Sequence, residues 1–188
     1  MEITFRDLMT MVHGMAFGGF FLMAVFALVV MLWRSMHEAQ APGLTAQGHR
    51  WEYAYLIGTA ALGWVAVLTG AYIVYPWYRA VMPAGADITL YPKALLLAKP
   101  QTTGWHTLGM EWKEHIAWIA PMAMTTVAYV LMKYSGTLEE HRAMRRRVLM
   151  FAVVALVSTG VAGGFGALID KTAPMDGGTV IQLMRTAR

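Results

Sequence analysis

The sequence predicts an all-α integral membrane protein, a four-helix up-down bundle forming a single domain over residues 1–188. Three observations predict it. The chain is 57% hydrophobic and only 14% charged, with a mean hydropathy of +0.47; a water-soluble core of this size has no use for so much apolar surface. Four apolar runs are long enough for a bilayer, whose hydrocarbon core takes about 20 helical residues. The segments between them are polar or punctuated by proline. The 16 Met and 7 Trp suit lipid as solvent, since Met fills irregular gaps and Trp favours membrane interfaces.

The first run, residues 14–33, carries no charge and places a span at about 10–33. Ala39-Gln40-Ala41 resembles a signal-peptide cleavage site, but the run exceeds the roughly 7–15 apolar residues of a signal, so a true span is expected. A polar loop with Pro42-Gly43 leads to the second run, 53–76, within a span at about 51–76. The connection 79–105 is the longest, with Pro83, Pro92 and Pro100 as helix stops; inside it 91–99 is apolar apart from two lysines and is expected to lie partly along the interface. The third run, 116–132, is extended upstream to a span at about 107–133, and the fourth, 148–169, gives a span at about 146–169. Pro121 releases the carbonyl of Ala117 and is expected to bend the third helix.

Four crossings put both termini and the 79–105 connection on one face, here the terminal face. The loops 34–52 and 134–147 share the other. Basic residues divide eight to seven and do not orient the chain, but Arg142, Arg145, Arg146 and Arg147 abut the fourth span on the second, arginine face. The positive-inside rule weighs such residues most. That face is therefore expected in the cytoplasm and both termini in the periplasm, for a multi-pass protein of the bacterial inner membrane.

Composition also excludes. With no Cys, the chain forms no disulfide, thiolate metal site, iron–sulfur cluster or c-type haem attachment of its own. A net charge of +4, dispersed in loops, does not suit nucleic acid. No phosphate loop, HExxH motif or nucleophile–base constellation appears.

The histidines sort by depth. His37, His49 and His141 fall in the loops of the arginine face, where solvated interfacial histidine is the ordinary reading. His13 precedes the uncharged run of the first helix and His115 the apolar run of the third, so both are expected at one level just inside the terminal face. His106 lies nine residues before His115, about 13 Å further out along a helix. Two imidazoles at one depth on two helices can hold a planar macrocycle by its iron, which makes His13 and His115 candidate metal ligands of one b-type haem. Gly14 and Gly18, with Gly19, would let backbone approach a flat ring, as would Gly160, Gly163, Gly164 and Gly166; small residues at such spacing equally serve helix packing. Arg79, after Tyr75-Pro76-Trp77-Tyr78, is a candidate for haem propionates or an interfacial anchor. Glu111, four residues before His115, is expected to accept the imidazole proton. Lys113 and Glu114 point elsewhere and are candidates to meet a partner or a quinol hydroxyl.

With His13 and His115 at matched depth in four spans, the chain resembles four-helix b-type cytochrome subunits that anchor respiratory electron-transfer complexes. It departs from the commonest pattern, two stacked haems, because the arginine face offers no second intramembrane histidine pair. The resemblance implies single-electron transfer at one haem b between a quinone pool and a periplasmic partner such as a cytochrome c. The chain would act as a subunit of an oxidoreductase complex, in contact with lipid and with other subunits. Three alternatives stand beside it. One is a cofactor-free structural or quinone-site accessory subunit of a respiratory or photosynthetic complex. Another is a non-haem metal site drawn from His106, Glu111, Glu114 and His115, although nine residues of helix separate the two histidines. The third, a small transporter, is disfavoured by the lack of mid-membrane charge.

Overall fold

The computed structural model describes residues 2–37, 49–138 and 141–182. The Ala39-Gln40-Ala41 and Pro42-Gly43 segments and the His49 side chain lie outside the described residues. Four helices are long and apolar enough to cross a membrane: Phe5–His37, Arg50–Tyr78, Pro100–Tyr134 and Arg142–Thr172. These are the four expected spans, each lengthened beyond its apolar run. The largest extension is at the start of the third, which begins at Pro100, a residue suited to the first turn because it needs no N–H partner.

The first span packs against the second and fourth, and the third against the second and fourth. The shared core lines up Phe21, Val25, Leu28 and Leu32 of the first span at helical spacing. They meet Leu56 of the second span, Met124, Val127 and Leu131 of the third, and Val148, Ala152 and Ala155 of the fourth. Small residues at 152, 155 and Ser158 keep the fourth helix close to its neighbours. At Gly63 a Cβ would stand 2.8 Å from the Phe21 ring, so the first and second spans meet where no side chain fits. The outer faces are apolar as well: Met23 is 67% and Phe26 58% exposed, a surface that requires lipid and identifies a multi-pass membrane protein.

An all-α fold is corrected in one detail. Glu2–Thr4 and Val180–Gln182 pair as antiparallel strands, with Glu2 opposite Gln182. The extended ends find in each other the hydrogen-bond partners that no helix supplies, and the pairing fixes both described ends of the chain at the same end of the bundle. A second core sits there, where Tyr78, Leu96, Met110, Ile169, Ala173 and Met175 are all buried. Leu96 belongs to the short helix Pro92–Leu97, so the apolar part of the long connection folds back as a cap on the bundle end. The third span is interrupted at 117–118, four residues before Pro121, as the missing proline donor demands.

Candidate functional site

Three of the four spans leave regular α geometry at the terminal end. Val12–Gly19, Gly70–Val74 and Trp105–Met110 are π-helical. The sequence explains each locally: Gly14, Gly18 and Gly19 weaken the first, Pro76 removes a donor just after the second, and Gly104 and Gly109 bracket the third. Widened turns of this kind occur at functional sites because they re-aim side chains. They are gathered by direct contacts, as Phe5 packs edge-on against Trp77, Tyr78 meets His106, and Trp105 and Trp112 meet Phe165.

His13 rises from the first of these segments and turns to the second span. Its Nδ1 lies 3.1 Å from Thr69 Oγ1. The Thr69 hydroxyl donates to the Val65 carbonyl at 2.7 Å, so its oxygen is left to accept, and Nδ1–H of His13 is the donor. Nε2 then carries the lone pair. The imidazole fits because residue 70 has no side chain: a Cβ there would lie 2.7 Å from Cε1 of His13. Lys113 of the third span acts electrostatically on the ring.

The third span carries the rest. His106 Nδ1 is 2.8 Å from the hydroxyl of Tyr78, whose ring is fully buried. His115 is exposed and its Nδ1 lies 2.8 Å from the main-chain carbonyl of Glu111. A carbonyl only accepts, so Nδ1–H again donates and Nε2 is bare. The expected bond to the Glu111 carboxylate is replaced by one to its main chain: the carbonyl accepts from Nδ1–H and the carboxylate is left at the exposed surface. Lys113 reaches between spans, its Nζ standing where a side chain of Gly166 would be, 2.6 Å from that Cβ position, within electrostatic range of Asp170. Arg79 Nη1 donates to Tyr75 Oη at 2.8 Å, and Glu114 approaches the same hydroxyl. Arg79 is otherwise exposed.

Of the sequence-predicted residues, His13, Glu111, His115, Gly14, Gly18 and Arg79 all lie at the terminal end, but on separate faces. His13 looks toward the second span, while His115 is exposed on the third. Gly14, Gly163 and Gly164 face open space, with no atom within 4 Å of the point where a methyl group would stand, whereas Gly18 meets only the His13 carbonyl. Thr69, Gly70 and the inward turn of Tyr78 were not singled out by sequence, and Gly166, read there as one of the glycines that could meet a flat ring, instead makes room for Lys113. Thr69 reads there as one of several span threonines and Tyr78 as one of an aromatic belt, and nothing local marks which of them turns inward. Among the described residues no group of three or more His, Asp or Glu converges to hold a metal ion, which removes support from a site built on His106, Glu111, Glu114 and His115. No family model, curated protein or solved structure matches the chain.

Proposed function

We propose that the chain is a membrane electron-transfer subunit holding one b-type haem near the terminal face, with His13 and His115 as iron ligands. In this reading the up-down bundle sits in the bacterial inner membrane with its termini in the periplasm. It passes single electrons between the quinone pool and a periplasmic partner such as a cytochrome c, within a larger complex. One observation carries the proposal: at the terminal end both imidazoles have Nδ1–H engaged by a fixed oxygen and keep Nε2 bare, a tautomer suited to a metal ligand that His37 shares at the arginine face, where no second histidine of the described spans stands. Because His13 faces the second span and His115 the outer surface, ligation of one iron by both requires His115 to turn inward when the haem binds.

A second reading has its own support. Lys113 at Gly166, and Glu114 with Arg79 on the Tyr75 hydroxyl, form a polar layer at the terminal end that suits a quinone head group without any haem. An optical spectrum of the purified full-length chain, oxidised and dithionite-reduced, separates the two. A low-spin α-band supports the haem subunit; its absence after supplementation with haem overturns it, and binding of a quinone analogue lost in Glu114→Gln would then support the accessory quinone-site subunit.

A further inference from the structure

The third and fourth spans enclose an apolar cleft of about 270 Å³, lined by Ile119, Met122, Ala123 and Thr126 on one helix and Met150, Phe151 and Val154 on the other. It opens on the outer surface, where Met122, Met150 and Phe151 are all exposed. Following each lining toward the arginine face meets a cation. Arg146 and Arg147 lie four residues before Met150 and Phe151, hence one turn above them on the same stripe. On the third span the stripe Ile119, Met122, Thr126 continues at helical spacing to Tyr129 and Lys133. Lys133 Nζ is held by the Tyr129 hydroxyl at 2.7 Å and lies over both the Tyr129 and Tyr134 rings. These aromatics fix a lysine at interface depth, where tyrosine belongs. Arg146 and Arg147 are exposed, whereas Arg145 turns inward, its Nη1 donating to the Ser35 carbonyl at 3.4 Å. The fourth helix also begins without a side-chain cap, so the positive end of its dipole adds to the arginines.

We infer that this cleft and the cations above it form a binding site for an anionic phospholipid, with one acyl chain between the third and fourth spans and the phosphate on Lys133, Arg146 and Arg147. Charge complementarity selects the occupant. A zwitterionic lipid fills the cleft equally well but brings no net negative charge to Lys133, Arg146 and Arg147, and each basic group at the surface favours anionic lipid. A second protein copy would have to bury the same three cations against itself. The site stands on the membrane fold alone and is independent of any haem.

The test is native mass spectrometry of the detergent-purified full chain with added phosphatidylglycerol or phosphatidylcholine of identical acyl chains. The wild type is expected to retain one phosphatidylglycerol with a preference of about ten-fold or more over phosphatidylcholine. The triple variant Lys133→Gln, Arg146→Gln, Arg147→Gln should lose the preference while Val154→Trp lowers retention of both lipids, and Lys99→Gln, on the terminal side, should change neither. Circular dichroism and thermal melting establish that each variant is folded. Equal retention of the two lipids by the wild type overturns the inference, as does a preference that survives the triple variant or is equally lost in Lys99→Gln. A dimer that Val154→Trp dissociates would assign the cleft to a second copy and overturn it too.

Discussion

Nδ1 of His13 stands 3.1 Å from the hydroxyl oxygen of Thr69, 56 residues away in the chain, and the second bond of Thr69 to Val65 decides which group donates. Thr69→Val keeps the shape and removes the acceptor. It should destabilise the detergent-solubilised protein by about 1 kcal/mol, since a part-buried imidazole N–H loses its partner. In the haem-loaded protein it should also raise the midpoint potential, because a ligand that no longer donates is less electron-rich. Thr69→Ser should restore both, and a Ser variant that behaves like Val would show that packing, not the bond, matters.

His13→Leu and His115→Leu should each abolish the low-spin α-band, whereas His37→Leu and His141→Leu should preserve it. An unchanged spectrum in either of the first two removes that residue from the ligand set. His106→Leu then becomes the next variant to examine, because His106 also has its Nδ1 held, by Tyr78.

Glu111→Gln should shift the midpoint potential less than Thr69→Val does. The group that accepts from His115 is the Glu111 carbonyl, which the substitution leaves in place. A large positive shift in a redox titration would mean that the carboxylate, not the carbonyl, takes the imidazole proton in the loaded protein.

Two glycines should separate stability from site chemistry. A Cβ at Gly63 meets the buried Phe21 ring at 2.8 Å, so Gly63→Ala should cost about 1–3 kcal/mol in thermal unfolding and leave the spectrum alone. A Cβ at Gly70 meets the His13 imidazole at 2.7 Å, so Gly70→Ala should displace that ring and alter the haem band or its occupancy. A Gly70→Ala protein with a wild-type spectrum would argue against His13 as a ligand.

Because the chain has no Cys, single cysteines report topology without background. Residues placed at Ala84 and Ala143, both exposed, should label from opposite sides of sealed vesicles, with Ala143→Cys reached from the cytoplasmic side. Labelling from one side would refute the four-crossing arrangement; the reverse assignment would invert the protein in the membrane.

The four spans, the break before Pro121 and the gathering of His13 and His115 toward one end were legible in the sequence. Each follows from a local cause: run length against bilayer thickness, a missing N–H, and distance along a helix from a boundary. The direction in which each side chain turns was not. Whether His13 faces Thr69, whether Tyr78 is the buried member of its aromatic group, and whether Lys113 finds space at Gly166 depend on helix rotation and on π-helical turns. Each extra residue in such a turn rotates everything beyond it, and only packing against neighbouring helices fixes the result. The paired strands at the two ends were likewise hidden, because Ile3-Thr4 and Val180-Ile181 favour a strand but are too short to be one until the bundle brings Glu2 opposite Gln182.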